Sequence, residues 1–188
     1  MIKTGTVRIE SLDFIFENSN VKIVANRSCP QIDLAGLSVG PFEEGNEYET
    51  CHWIASELVK SGLAHFHPED QLDAARLSKI QWTERVQTAG QISKLPDGFY
   101  PQLRRCLAEM RDGIASNPEK MREYERAGHL GKDIVSSRLK KIVSLASASA
   151  QSESGLRNLA GEERFLYENL FRIINQWKTR ILEHKEGT

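Results

Sequence analysis

VKIVANRSCPQIDLAGLSVGPFEEGNEYETCHWIASELVKSG, residues 21–62, passes from strand-like to helix-like patterning without a long linker. Val21-Lys22-Ile23-Val24 has the composition of a strand, and Ile32-Asp33-Leu34 alternates in sidedness. Gly36, Gly40, Pro41 and Gly45 then punctuate a stretch that reads as loop, with Val39 and Phe42 as its apolar anchors. From about Glu47 the period changes. Cys51, Ile54, Ala55, Leu58 and Val59 recur at three- and four-residue steps, which predicts one face of an amphipathic helix ending at Gly62.

Upstream, Thr6-Val7-Arg8-Ile9 and, in part, Leu12-Asp13-Phe14-Ile15-Phe16 read as further short strands, separated from Val21 by the turn-rich Glu17-Asn18-Ser19-Asn20. Downstream, Leu63–His67 is short and β-like. Pro68-Glu69-Asp70 opens a second helix, with Leu72, Ala75, Leu77 and Ile80 as its stripe. A boundary is expected near 88–97, dividing a small β-rich domain with following helices (1–92) from a helical domain (93–188).

The second half reads as helix throughout. Phe99, Leu103, Leu107, Met110 and Ile114 step by three and four. After Asn117-Pro118-Glu119 a long helix continues through Met121, Tyr124, Ile134, Arg138-Leu139, Ile142, Leu145 and Ala146, with Gly128 and Gly131 predicting a break or bend. Ser147 to Gly155 reads as a helix end and loop. Gly161-Glu162-Glu163 launches a last helix, where Leu166, Leu170, Ile173, Ile174, Trp177 and Ile181 form one face and Tyr167 and Phe171 widen it. A stripe that wide asks for partners on more than one side. The fold class is therefore α+β, a small N-terminal β-rich domain followed by a mostly α-helical bundle.

Composition narrows the function classes. The 188 residues carry a formal net charge of −1, without the broad positive surface of a dedicated nucleic-acid binder. Residues 1–95 hold thirteen acids and nine Lys/Arg, and residues 96–188 thirteen and sixteen, an asymmetry that suits protein–protein attraction. Three scattered cysteines, Cys29, Cys51 and Cys106, argue against a secreted disulfide framework. The opening MIKTGTVRIE lacks the apolar run of a signal peptide, and no apolar stretch reaches membrane-spanning length. A cytoplasmic location, near the nucleoid or in a nucleus, is the expectation.

Reactive constellations are few. Phosphate-loop, dinucleotide, HExxH, GxSxG and CxxC motifs are absent from the sequence. His65 and His67 would share a strand face, but a zinc site needs a third ligand. Cys51 and His52, as helix neighbours, would point about 100° apart, so they form no nucleophile–base pair. Glu43, Glu44, Glu47 and Glu49 lack the spacing of a calcium loop. Arg104, Arg105, Arg111, Arg138, Lys140 and Lys141 read as charged outer faces of helices, and without interleaved exposed aromatics they make no stacking platform. The expectation is no catalytic residue, no metal and no cofactor.

Residues 21–62 also resemble the small β-domain of GINS subunits. The resemblance rests on Ile32-x-Leu34-x-Gly36, then Gly40-Pro41-Phe42 and Gly45, then Glu49 before Trp53-Ile54-Ala55. LPDGFYPQL (95–103), RLKKIVSLA (138–146) and LAGEERFLYENL (159–170) are similar to the helical domain of archaeal members. The order of domains matches the class related to eukaryotic subunits two and three. The resemblance implies a non-catalytic scaffold that pairs with a second GINS subunit of reversed domain order in a 2:2 heterotetramer. That assembly would link the MCM helicase to a RecJ-like protein, with at most indirect DNA contact. The subunit interface is expected at Phe99, Tyr100, Leu103, Leu107, Tyr167, Phe171 and Trp177. Phe42 and Trp53 are expected to bury their rings and pin the glycine-rich loop on the first helix. A stand-alone nucleic-acid binder using Arg104, Arg105, Arg138, Lys140 and Lys141 is the alternative.

Overall fold

A computed structural model describes residues 9–34, 36–87, 91–113, 118–148 and 153–182. Residues 6–8 of the expected first strand, residues 88–90 of the expected boundary, and Ile114 and Asn117 lie outside them. Contacts divide the described chain into two compact units, the smaller spanning Glu10–Gln71 and the larger taking Ile9 and everything from Leu72 onward.

The smaller unit begins with a helix, α1 (Ile9–Glu17), where strands were expected. Its period is helical, since Leu12 and Phe16 turn inward while Phe14 and Ile15 face solvent. The turn-rich residues that follow close it. Asn18 Nδ2 donates to the Phe14 carbonyl at 2.8 Å and Ser19 Oγ to that of Phe16 at 2.7 Å. β1 (Asn20–Ala25) then runs between β4 (Glu47–Cys51) and β5 (Ala64–Phe66), all antiparallel. Ile23 stands opposite both Tyr48 and Phe66. Alternation along β1 buries Val21, Ile23 and Ala25.

Within the expected loop, β2 (Ile32–Leu34) and β3 (Leu37–Val39) form a hairpin turning at Gly36. The helix expected from Glu47 begins later, as α2 (His52–Lys60). Glu47–Cys51 alternates with period two and pairs with β1, so Cys51 ends a strand and only coincidentally extends the helical spacing. Ile54, Ala55 and Leu58 seal the sheet with Phe42 and Ala64.

Pro68 opens only a single turn of 3₁₀ helix (Pro68–Asp70). The next α-helix, α3 (Ala74–Val86), starts at Asp73, whose carboxylate accepts the Arg76 N–H at 2.7 Å as an N-cap. α3 belongs to the helical unit and packs on α5. Ile92, Ser93 and Leu95 are buried in that same unit. The expected division at 92/93 would therefore cut through packed structure, and the observed one lies ahead of α3.

α4 (Phe99–Asp112), α5 (Pro118–Ser147), the short α6 (Glu153–Arg157) and α7 (Gly161–Leu182) complete the unit. α5 runs through Gly128 and Gly131 without the break that was one expectation there. Gly131 has a packing reason. A Cβ there would stand 3.1 Å from Leu103 Cδ1, so the missing side chain lets α4 approach α5. Two clusters fill the interior: Leu77, Leu95, Phe99, Leu103, Ala127 and Ile134, and Ile92, Ile142, Leu145, Ala146, Leu159 and Tyr167.

Candidate subunit interface

In the small unit, the Gly40–Phe42 motif is an internal brace. Phe42 and Cys29 exchange backbone hydrogen bonds at 2.8 and 2.9 Å, and the Phe42 ring meets Tyr48 edge-on at 4.9 Å. Gly40 has φ +87°, and a Cβ would press on the Phe42 ring at 3.1 Å, so two separate constraints select glycine. Gly36 and Gly45 occupy turns with positive φ. Pro41 follows a cis peptide bond. The Trp53 ring, expected to be buried, is not. It is 36% exposed, because α2 turns His52, Ile54, Ala55 and Leu58 inward instead. His52 lies between Phe16 and Phe66, with centroids at 4.5 and 5.3 Å, and its Nδ1 is 3.7 Å from Glu17.

The residues weighed for chemistry each have their own structural surroundings. Cys51 closes β4 while His52 opens α2. His65 Nδ1 meets Asn26 Oδ1 at 2.6 Å, whereas His67 faces Glu47 at 3.6 Å and accepts the Glu69 N–H. Glu43 accepts from Asn46 at 2.9 Å within its own turn. Among the described residues, no group of three or more His, Cys, Asp and Glu is placed to hold a metal, and no helix is long and apolar enough to cross a membrane.

Arg138, read from sequence as a surface cation, is wholly buried. Its guanidinium grips Glu163 with two parallel bonds, Nε to Oε1 at 2.6 Å and Nη2 to Oε2 at 2.5 Å. Nη1 donates to Glu84 Oε2 at 3.1 Å and to the Ser93 carbonyl at 2.6 Å, and Nη2 reaches the Asn158 carbonyl at 3.3 Å. Lys141 Nζ donates to Glu84 Oε1 at 2.6 Å, Ser93 Oγ donates to Glu84 Oε2, and the Tyr100 hydroxyl donates to Glu163 Oε1 at 2.6 Å. Glu163 also accepts the Ala160 N–H at 2.9 Å, the glutamate half of a capping box at the start of α7. Two cations and two carboxylates make the cluster electrically balanced, as burial requires.

Burial alone would raise the Glu84 carboxyl pKa, but the bonds from Lys141 and Ser93 and the Arg138 charge outweigh it and leave Glu84 below its ordinary range. For Arg138, burial opposes the charge and the Glu163 contact overcomes it, raising its pKa. Burial, with the Glu163 charge, also raises Tyr100. The cluster was legible only as one oddity, an arginine at the centre of the apolar series Ile134–Arg138–Ile142. It also removes Arg138 and Lys141 from any outward-facing basic patch.

The expected interface residues mostly face inward. Phe99, Leu103 and Tyr167 are buried, while Leu107, Tyr100 and Phe171 pack on the two core clusters. They account for the wide stripes of α4 and α7 from within the chain. Trp177 alone of that set is largely exposed, at 62%. It stands at four-residue spacing between Ile173 and Ile181, also exposed, with Leu182 beside them. The first half of α7 is thus a core helix, and its second half carries an uncovered apolar row.

Residues 8–67 match the PSF2 N-terminal domain, and residues 71–182, more than half of the chain, match the GINS complex protein helical bundle domain. The human DNA replication complex GINS protein PSF2 is 26% identical over 144 residues, covering 76% of this chain and 74% of the human one. The Xenopus laevis protein of the same name is 25% identical over 96 residues, 51% of each chain. Two family domains, meeting where the compact units divide, place this chain in the GINS family as a subunit related to PSF2.

Proposed function

We propose that this chain is a non-catalytic scaffold subunit of the GINS complex in DNA replication. The observation that carries the reading is the row Ile173, Trp177, Ile181 and Leu182, a helix surface left uncovered after the chain has filled its own core. Large exposed apolar side chains in a row mark a protein-binding surface, and a tryptophan at the centre is the usual energetic anchor. The names of the human and frog relatives support the replication setting. In this reading the row seats a second GINS subunit of reversed domain order in a 2:2 heterotetramer. The completed assembly joins the MCM helicase to a RecJ-like protein, with DNA contacted only indirectly.

Native mass spectrometry of the chain, alone and co-expressed with such a subunit, tests the proposal. Trp177→Asp is expected to abolish the complex and leave the thermal midpoint of the isolated chain unchanged, because the ring supports no core. A chain that remains monomeric beside its relative, or a complex indifferent to Trp177→Asp, overturns it.

A further inference from the structure

The small unit is strongly acidic. Residues 10–71 hold eleven Asp and Glu against three Lys and Arg, a net of −8, whereas residues 72–188 hold fifteen against twenty, a net of +5. Two of the three cations have local partners: Lys60 pairs with Glu57 at 2.7 Å, and Arg27 donates to the Ser61 carbonyl at 3.2 Å. Against this field α1 presents an apolar outer face. Phe16 turns inward onto His52, while Phe14 is 70% and Ile15 61% exposed. Ser11 and Asn18 complete the outward row at helical spacing, so the two large side chains stand alone between small polar ones.

We infer that the outer face of α1 is a second docking surface, whose occupant is a cationic amphipathic helix of a partner protein. The apolar pair supplies area for a ridge of similar width. The net negative charge of the unit, with Glu10, Asp13 and Glu17 on α1 itself and no cation in that helix, favours a segment whose flanks are Lys or Arg. The same charge repels nucleic acid and anionic lipid, the other occupants an exposed apolar helix face attracts. α7 of a second copy has related chemistry, with Arg172, Lys178 and Arg180 along its apolar row, but the proposed function assigns that row to the other subunit. The α1 surface lies on a different element and stands or falls separately from it.

The probe is a synthetic helix with Leu at i, i+3, i+4 and i+7 and Lys elsewhere, titrated into the full chain by fluorescence anisotropy beside a scrambled peptide of equal composition. The patterned peptide is expected to bind at least about tenfold more tightly than the scrambled one. Phe14→Ser with Ile15→Ser should weaken it by about tenfold or more, with the thermal midpoint unchanged because both side chains are exposed. Trp177→Ser should change it by less than about twofold. Equal binding of the scrambled peptide, an effect of Trp177→Ser but not of the α1 substitutions, or no binding at low salt overturns the proposal. So does native mass showing that α1 joins two copies of this chain.

Discussion

Arg138 meets two carboxylates and two carbonyls without any exposure to solvent, and that arrangement fixes what its replacement does. Arg138→Met leaves two buried carboxylates against the single cation Lys141 and is expected to cost about 3–5 kcal/mol in chemical denaturation. Replacing all four charged groups, Glu84, Arg138, Lys141 and Glu163, with apolar residues of similar volume should recover most of that loss, since the ionic cluster opposes its own desolvation. The pH dependence has a definite sign. Folding holds Glu84 below its ordinary value of 4.5, so the unfolded chain takes up the proton first on acidification. Its stabilisation is complete above the ordinary value and is lost as pH falls through the lowered one. Stability against pH should therefore have a shallower acid limb in Glu84→Gln than in the parent, measured by urea unfolding between pH 3 and about 6. Sequence alone could not assign these roles. An arginine on an apolar stripe fits both a buried ion and an aliphatic stem reaching for water, and its partners lie 25 and 54 positions away in the chain.

Among the elements, α5 distinguishes two glycines that the sequence presents alike. A Cβ at Gly128 meets nothing within 4 Å, whereas one at Gly131 meets Leu103. Gly128→Ala is expected to stabilise the chain by about 0.5–1 kcal/mol through helix propensity. Gly131→Ala should gain less or destabilise, a contrast that thermal melts of the two variants would display. The apolar period placed the long helices well because each buries a stripe against neighbours from its own unit. It failed for α1 and β4, which are short enough that period two and period 3.6 share most of their matches. Pro68 misled for a related reason, since a proline opens a 3₁₀ turn as readily as an α-helix and the true cap, Asp73, lies five residues on. A wide apolar stripe on α7 meant two different things along its length, core in the first half and uncovered surface in the second.

At the scale of the whole molecule, a chain beginning at Leu72 retains α3 and every member of the Arg138 cluster. Such a fragment should unfold cooperatively by circular dichroism. One beginning at residue 93 lacks Glu84 and leaves Arg138 and Lys141 without it, and should lose that cooperativity. The family motif near Gly40 was readable because glycine, proline and aromatic residues mark backbone geometry directly. The ion cluster was not, since it is assembled from segments that only tertiary structure brings together. That assembly also limits how helices can be exchanged between relatives. Grafting α3, or the start of α7, from a homologue that lacks the matching acid would leave a charge with no counterpart in the host. Hybrid subunits should therefore fold only when Glu84, Arg138 and Glu163 are inherited as a set, and drift at any one of them should be accompanied by change at the others.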